Sequence, residues 1–386
     1  MSLASHAKAC VCLGILTPLS ALAQTKTSIE TAKATPSPVA YVYVQSSSGV
    51  EAYSAASNGK LTKISGSPFQ TTGAIAGSTG SIFYTIGTDY IHSYAVASDG
   101  GIKAQVSEIN SQKYSGAACG TVPDGAGGVL DHSGKYFYLQ LSKPAGCDVF
   151  QTYTIGKDGA LTFNNWTELA GDLGPIYVPT ILGNEAFAYS IQYDVHYSST
   201  VGFAREPSGA LHVINTQETD PSDPNGANAY PTLVAADPTD HLAVTLAYNA
   251  SNPPYLGSYT ADGEGNITST NPFDKLQLLP FAATELAMSP SGTFVAVAGG
   301  YPSGYGAGDG LEIYHFNGAD PITSLSGLVT DMEIDAIKWD SSNHLYAIST
   351  KTNQLFVYTV TGNSISEAPG SPYTIKDPTG LVTKSL

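Results

Sequence analysis

The sequence predicts an all-β protein, a seven-bladed β-propeller whose ring is closed by the C-terminal strand joining the N-terminal blade. Three observations support this prediction: a hairpin pattern that recurs seven times along 386 residues, apolar residues that alternate at period two within the copies, and a scarcity of helix signals. Copies with a period of about 50 residues and four strands each cannot cover their own apolar faces, so they must pack around a common axis.

The clearest copy of the repeat is the stretch 127–161. Its turn 131–134 ends in glycine, which tolerates positive φ, and the run 135–141 is rich in aromatic and apolar residues that suit a pleated surface. The run 150–155 alternates apolar and polar residues, and the turn 156–159 closes a hairpin. This order predicts two strands joined by a tight turn, then a loop, then a second pair of strands.

An aromatic residue followed by a turn marks the second half of each copy. The residues at this position are Tyr53, Tyr94, Tyr153, Phe203, Tyr259, Tyr314 and Tyr358. An unrelated series of sandwich hairpins is the alternative, but an aromatic ring at one place before one turn favours a repeat. The first copy begins at Tyr41 without an inner strand, so we expect the C-terminal strand 380–384 to supply it and leave no open sheet edge there.

The N-terminus is typical of a signal peptide. A short apolar core covers 10–22, and Ala21, Leu22 and Ala23 form an A-x-A cleavage site. We therefore expect a secreted or periplasmic protein, cleaved near Ala23. The predicted boundaries are 1–23 for the signal peptide, 24–38 for a disordered lead-in and 39–386 for a single propeller domain.

Two cysteines lie beyond the signal peptide, Cys119 and Cys147, both in the third copy. In an oxidising compartment they can form one disulfide, and two free buried thiols are the alternative. Two cysteines without a neighbouring histidine or carboxylate cluster make a poor zinc site. Asp220, Asp223 and Asn225 resemble a calcium loop, but two prolines break the EF-hand spacing. We expect no metal or cofactor, with calcium as the one open alternative.

The formal charge is −16 at pH 7, and Arg205 is the only arginine. Such a surface repels nucleic acid and anionic membranes, and no apolar run beyond the N-terminus is long enough to span a bilayer. Phosphorylated substrates usually need arginine or lysine clamps. These observations favour a small neutral ligand or a protein partner, and we expect a monomer.

Long connections between the second and third strands of four middle copies are predicted to lie on one face of the ring, where loops on a rigid scaffold carry function. Their candidate ligand-binding residues are Tyr193, Asp194, Tyr197, Tyr248, Tyr255, Tyr301, Tyr305 and Asp309, together with His196. Tyrosines and carboxylates suit a neutral polyhydroxylated ligand such as a sugar or sugar lactone. The alternative is that the tyrosines pack the loops onto the sheets.

Three carboxylates, Glu285, Glu333 and Asp335, are predicted near the start of inner strands, which line the axial channel. Carboxylates at a channel mouth can bind a ligand or cation, or act as a general base, and solvated charges are the alternative. Glu285 and His196 are therefore the candidate catalytic residues.

Several segments resemble the seven-bladed propeller lactonase-like family, which has YVTN-like repeats and the fold of the 6-phosphogluconolactonase-type enzymes. The segments are 131–138, 289–294, 66–69 and 370–373. The resemblance covers nearly the whole mature chain and implies the propeller fold.

The enzymes of that family share a Pro-Arg-His segment before an inner strand and a Glu at the end of the following strand. Here Thr284 and Glu285 replace the Arg and His, and the following strand ends in Ala298 and Gly299. This departure removes the anion clamp and the imidazole that the resemblance implies. We expect an exported lactonase-like propeller that binds a neutral ligand or partner on the long-loop face, with hydrolase activity in doubt. An active lactonase for an unphosphorylated sugar lactone and a cell-surface protein–protein scaffold are the alternatives.

Overall fold

The structure is a computed structural model that describes most of residues 37–386. The gaps within that range are 112–113, 117–119, 123, 144–146, 171–175, 194–197, 249–253 and 301–307. The predicted signal peptide, most of the predicted lead-in and Cys119 lie outside the described residues, so the disulfide and the domain boundaries stay predictions. The described part of the chain contains no helix long and apolar enough to cross a membrane.

The described residues form strands and one 3-10 turn, Phe273–Lys275. In chain order, the first strands are β1 (Ala40–Ser46), β2 (Gly49–Ala55), β3 (Leu61–Lys63), β4 (Ala74–Thr79), β5 (Ile82–Ile86), β6 (Tyr90–Val96), β7 (Ile102–Asn110), β8 (Tyr114–Gly116), β9 (Gly120–Val122), β10 (Asp124–Leu130), β11 (Tyr136–Lys143), β12 (Cys147–Ile155), β13 (Leu161–Ala170), β14 (Thr180–Ile181), β15 (Phe187–Tyr193), β16 (Ser198–Arg205) and β17 (Leu211–Ile214). The remaining strands are β18 (Glu218–Thr219), β19 (Tyr230–Ala236), β20 (His241–Ala247), β21 (Tyr255–Ala261), β22 (Ile267–Ser269), β23 (Gln277–Leu278), β24 (Glu285–Met288), β25 (Phe294–Gly299), β26 (Gly310–His315), β27 (Thr323–Thr330), β28 (Ala336–Trp339), β29 (His344–Ser349), β30 (Gln354–Thr361), β31 (Ser364–Glu367), β32 (Tyr373–Thr374) and β33 (Gly380–Ser385).

These strands build seven blades, which confirms the predicted all-β propeller. From the inside outward, the blades are β33-β1-β2-β3, β4-β5-β6-β7, β10-β11-β12-β13, β14-β15-β16-β17, β19-β20-β21-β22, β24-β25-β26-β27 and β28-β29-β30-β31. The short strand β18 extends blade 5 by pairing in parallel with β22, and β8 and β9 form a separate hairpin. The pairing of β33 with β1 runs from Ala40–Ser385 to Gln45–Gly380 and confirms closure by the C-terminal strand.

The core is divided among the interfaces between the blades. Seven clusters of buried apolar side chains occur in the described residues, and each fills the space between two neighbouring blades. One of these clusters lies between blades 7 and 1, so the seven interfaces close into a ring. Burial of these apolar faces against one another is the main favourable contribution to the fold.

A repeated hydrogen bond joins blades 1 to 5. In each case, a buried tyrosine of the second strand donates its hydroxyl proton to a glycine carbonyl in the next blade. The pairs are Tyr43 with Gly100 (2.9 Å), Tyr84 with Gly159 (3.2 Å), Tyr138 with Gly209 (2.8 Å) and Tyr189 with Gly265 (3.1 Å). We call these the interblade tyrosine bonds. They satisfy a buried hydroxyl group and fix the distance between neighbouring sheets.

Candidate functional site

One backbone contact recurs where an inner strand begins, and it defines one end of the axial channel. The N–H of the residue at this place donates to a carbonyl near the end of the adjacent second strand. The pairs are Tyr177 with Ile191 (3.1 Å), Thr284 with Ala298 (2.9 Å), Asp335 with Ile348 (2.9 Å) and Thr379 with Gln45 (2.9 Å). We call Tyr177, Thr284, Asp335 and Thr379 the entrance positions. Because the inner strands run in the same direction around the ring, these residues lie at the same end of the channel.

Blades 6 and 7 place charged side chains around this end of the channel. We call this group the entrance cluster; its members are Glu285, Asp309, Glu333, Asp335, Lys338 and Lys351. The Nζ of Lys351 lies 3.3 Å from Oδ2 of Asp309 and 3.6 Å from Oε2 of Glu333. The hydrogen bond to Asp309 and the attraction of both carboxylates raise the pKa of Lys351 above its usual value. Lys351 therefore stays protonated and available as a donor, since its side chain is 63% exposed.

Asp335 of blade 7 makes a contact within its own blade and acts through its charge on blade 6. Its Oδ2 accepts a hydrogen bond of 2.7 Å from the backbone N–H of Thr350, next to Lys351. Its negative charge also acts on Glu285, the first residue of β24. Direct ion pairs thus join Lys351 to Asp309 and Glu333, and Asp335 and Lys338 act on Glu285 through their charges.

Glu285 is half-buried, and its environment raises its pKa above the usual value. Loss of solvent is the largest cause of its raised pKa, and the nearby charge of Asp335 adds to it. The positive charge of Lys338 and a hydrogen bond from the backbone N–H of Ile337 act in the opposite direction. A carboxylate whose pKa is raised by burial is a stronger base than a solvated one, which is the property that a general base needs.

Gly300 allows the cluster to assemble. A Cβ at this position would lie 2.8 Å from Oδ1 of Asp309 and 2.8 Å from Cγ of Glu333. Any side chain there would push one of these carboxylates away. Sequence reasoning found Glu285, Glu333, Asp335 and Asp309 but missed Gly300 and both lysines. Of these missed residues, Lys351 could have been found from its position in the connection between the second and third strands of blade 7, on the face where the site was predicted.

The tyrosines predicted to bind ligand have different surroundings. Tyr193 donates its hydroxyl proton to the carbonyl of Thr232 at 2.8 Å. Tyr248 is only 2% exposed and donates to the carbonyl of Pro221 at 2.8 Å. Its ring packs edge-on against Tyr255, with centroids 5.6 Å apart. These contacts favour the packing alternative for Tyr248 and Tyr255.

Much of the predicted long-loop face lies outside the described residues. The predicted site residues that fall there are Asp194, His196, Tyr197, Tyr301 and Tyr305. Their roles, including that of His196 as a catalytic residue, stay predictions. Cys147 begins β12, and its pairing with Cys119 also stays a prediction.

The predicted calcium loop forms the wall of a cavity of about 460 Å³, lined by residues 220–223 and 226–229. Oδ1 of Asp220 accepts the hydroxyl proton of Tyr259 at 2.6 Å. Asp223 accepts hydrogen bonds from the backbone of Asn225 and Ala227. Within the described ranges, no group of three or more His, Cys, Asp or Glu side chains is placed to hold a metal ion. Both aspartates bond to groups of the chain itself.

Arg205 is held in the scaffold, away from the entrance. Its guanidinium group bonds to Oδ2 of Asp131 at 2.8 Å, to Oε2 of Glu185 at 3.0 Å and to the hydroxyl of Tyr138 at 2.8 Å. Asp131 and Glu185 lie in turns between first and second strands, at the end of the ring opposite the entrance positions. The only arginine therefore ties blades 3 and 4 together and cannot clamp an anion at the entrance cluster.

Comparison with solved structures supports the same fold. A putative 6-phosphogluconolactonase from Bacteroides uniformis has a TM-score of 0.65 at 12% identity, covering 89% of this chain and 99% of that one. A second, from Bacteroides fragilis, has a TM-score of 0.62 at 12% identity, covering 90% and 98%. The periplasmic gluconolactonase of Pseudomonas aeruginosa has a TM-score of 0.62 at 11% identity, covering 89% and 98%.

The fold is that of the 6-phosphogluconolactonase-like propellers. At these identities the likeness concerns the fold alone, since one fold carries many activities. No protein-family model matches the sequence, and no curated protein matches it.

Proposed function

We propose that the protein is an exported, lactonase-like propeller that binds a neutral polyhydroxylated ligand, a sugar or sugar lactone, at the entrance cluster. The observation that carries this proposal is the group of carboxylates and lysines that blades 6 and 7 place at one end of the channel, where Lys351 pairs with Asp309 and Glu333 and the charges of Asp335 and Lys338 act on Glu285. Carboxylates accept hydrogen bonds from hydroxyl groups, and an exposed ammonium group donates to ring and carbonyl oxygens. Export rests on the signal-peptide pattern of residues 1–23.

The charge of the site supports a neutral ligand over a phosphorylated one. The entrance cluster has four carboxylates and two lysines, so its described side chains leave two negative charges when all are ionised. A phosphate group there would meet net repulsion, and Arg205 is bound elsewhere. The net negative charge of the entrance cluster therefore favours a ligand different from the phosphorylated substrate named for the putative 6-phosphogluconolactonases of similar fold.

Hydrolysis of an unphosphorylated lactone is the second candidate function, and the raised pKa of Glu285 favours it. In that reaction Glu285 would take a proton from water as the water oxygen attacks the lactone carbonyl. The ester C–O bond would then break, and the leaving ring oxygen would accept the proton as a hydroxyl group. Lys338 is the nearby positive charge that would balance the developing oxyanion.

Calorimetric titration with D-glucose and with D-glucono-1,5-lactone tests the proposal. We expect binding by the wild-type protein and a loss of about tenfold or more in affinity for Glu285→Gln, because a charged acceptor becomes a neutral amide. Glu264→Gln is the matched control, since Glu264 is exposed in a distant hairpin turn of blade 5. Absence of binding to either compound, or equal losses in both variants, would overturn the proposal. Lactone consumption that depends on Glu285 would establish the second candidate.

A further inference from the structure

Tyr177 stands at an entrance position and is the most exposed aromatic residue described there. Its side chain is 51% exposed. Its backbone N–H makes the same contact in blade 4 that Asp335 makes in blade 7. The repeat of the fold therefore puts an aromatic ring at the place where another blade carries a carboxylate of the entrance cluster. Sequence reasoning did not single out Tyr177, because its exposure depends on how blade 4 meets the channel.

The ring of Tyr177 is held in position by a neighbouring tyrosine. It packs edge-on against Tyr193, with centroids 5.3 Å apart and planes at 89°. Tyr193 is anchored in turn by its hydrogen bond to the carbonyl of Thr232 in the inner strand β19. Burial and the neighbouring hydroxyl group of Tyr177 raise the pKa of Tyr193, so that its phenol stays neutral. The supported ring needs little ordering when a ligand arrives, which lowers the entropic cost of binding.

An exposed aromatic face is the usual partner of an apolar surface that is rimmed by polar groups. A closed sugar ring has such a surface, because its C–H bonds lie on one face while its hydroxyl groups point outward. Carboxylates that blades 6 and 7 place at the same end of the channel can accept those hydroxyl protons. An open-chain polyol has the same hydroxyl groups but presents no fixed C–H face.

We propose that Tyr177 is a stacking platform for the closed ring of the ligand that the entrance cluster binds. This inference rests on the proposed function and narrows it to cyclic sugars and lactones. Blade 4 supplies the apolar contact, and blades 6 and 7 supply the polar ones. The platform selects for the cyclic form, and the carboxylates exclude anionic sugars.

The test compares methyl β-D-glucopyranoside, a closed ring that cannot open, with D-glucitol, a neutral open chain. Calorimetric titrations would use wild-type protein, Tyr177→Phe, Tyr177→Leu and Glu285→Gln. We expect wild type to bind the glucopyranoside more tightly than glucitol. Tyr177→Leu should lose about tenfold in affinity for the glucopyranoside and keep the wild-type affinity for glucitol. Tyr177→Phe keeps the aromatic face and should stay within about threefold of wild type.

The outcomes distinguish a failure of the stacking platform from a failure of the proposed function. If wild type binds the glucopyranoside, Glu285→Gln loses it and Tyr177→Leu binds normally, the platform is wrong and the proposed function stands. If wild type binds neither compound, the proposed function fails and the platform fails with it. Equal losses of glucopyranoside and glucitol in Tyr177→Leu would also contradict stacking, because they would indicate a general change at the entrance. Unchanged thermal melting would show that the leucine variant is folded.

Discussion

Glu218 shows how strongly burial can change a single side chain in this protein. It lies in the two-residue strand β18, where its carboxylate accepts hydrogen bonds from the hydroxyl and the backbone N–H of Thr200 at 3.1 and 3.4 Å. Loss of solvent, followed by the nearby charge of Asp220, raises the pKa of Glu218 to about 7. The bonds from Thr200 act in the opposite direction and are the smaller effect. The sequence did not single out Glu218, because its burial is not visible in its neighbours along the chain.

Glu218 makes stability depend on pH in a definite direction. Its pKa is about 7 in the folded protein and 4.5 in a solvated chain, so the folded state holds this proton more tightly. The stabilising contribution of the proton is complete below pH 4.5 and is lost as pH rises through 7. We expect Glu218→Gln to match wild type near pH 5 and to be more stable near pH 8, by about 1–3 kcal/mol.

Urea denaturation of both proteins at several pH values measures this difference. The matched control is Glu206→Gln, because Glu206 is exposed and its pKa is lowered by hydrogen bonds to Ser208 and His212. The control should not gain stability as pH rises. A Glu218→Gln difference that stays constant from pH 5 to pH 8 would show that Glu218 titrates as an ordinary exposed carboxylate.

At the scale of elements, the glycine turns decide how closely two blades approach. Gly209 has φ of +85°, and a Cβ there would lie 2.4 Å from the ring of Tyr136. That ring cannot easily move, because its hydroxyl group bonds to the carbonyl of Pro207 and the guanidinium of Arg205 lies over its face. The neighbouring interblade tyrosine bond, from Tyr138, also ends on Gly209.

We expect Gly209→Ala to destabilise the protein by about 2–4 kcal/mol, through both backbone strain and the clash with Tyr136. Gly226→Ala measures the backbone strain without the clash. Gly226 has a similar φ of +77° but open space around it, so its substitution should cost about 1 kcal/mol. Urea denaturation gives both free energies. Equal costs for the two variants would mean that the close approach of the blades contributes nothing.

The same elements show what sequence patterns can and cannot predict. The recurrent glycine turns predicted the hairpins correctly, and the carbonyls of glycines in those turns accept the interblade tyrosine bonds. Inner strands are harder to predict, and β14 has only two residues. The parallel pairing of β18 with β22 also went unpredicted, since a two-residue strand carries no periodic signal.

At the scale of the whole molecule, the ring is held by the pairing of its two ends. The sequence predicted this closure because the first copy lacked an inner strand and a spare strand remained at the C-terminus. The same reasoning could not place the entrance cluster, because Lys351, Asp309 and Glu333 meet only when blades 6 and 7 are packed side by side. The sequence therefore predicts the strands and turns within a blade. It does not predict which side chains meet between two blades, because those contacts depend on how the blades pack.

We call the pairing of β33 with β1, together with the core cluster between blades 7 and 1, the seam. Because the ring is closed, we expect a substitution at the seam to lower the stability of every blade. Leu381 of β33 is 4% exposed and belongs to the core cluster between blades 7 and 1. Leu381→Ala should cost about 2–4 kcal/mol, because it leaves a cavity in that cluster. Leu386→Ala removes the same atoms from a side chain that is 57% exposed and should cost well under 1 kcal/mol.

The two tryptophans of the chain can report whether Leu381→Ala lowers the stability of distant blades as well as that of the seam. Trp339 lies beside the seam, where its carbonyl accepts the hydroxyl proton of Thr383 at 2.8 Å. Trp166 lies in β13 of the distant blade 3. Urea unfolding of Leu381→Ala, combined with Trp339→Phe or with Trp166→Phe, reports on one tryptophan at a time. We expect the midpoint to fall by the same amount at both tryptophans, because a closed ring unfolds as one cooperative unit. A shift at Trp339 alone would mean that the blades unfold separately and that pairing β33 with β1 stabilises only the seam.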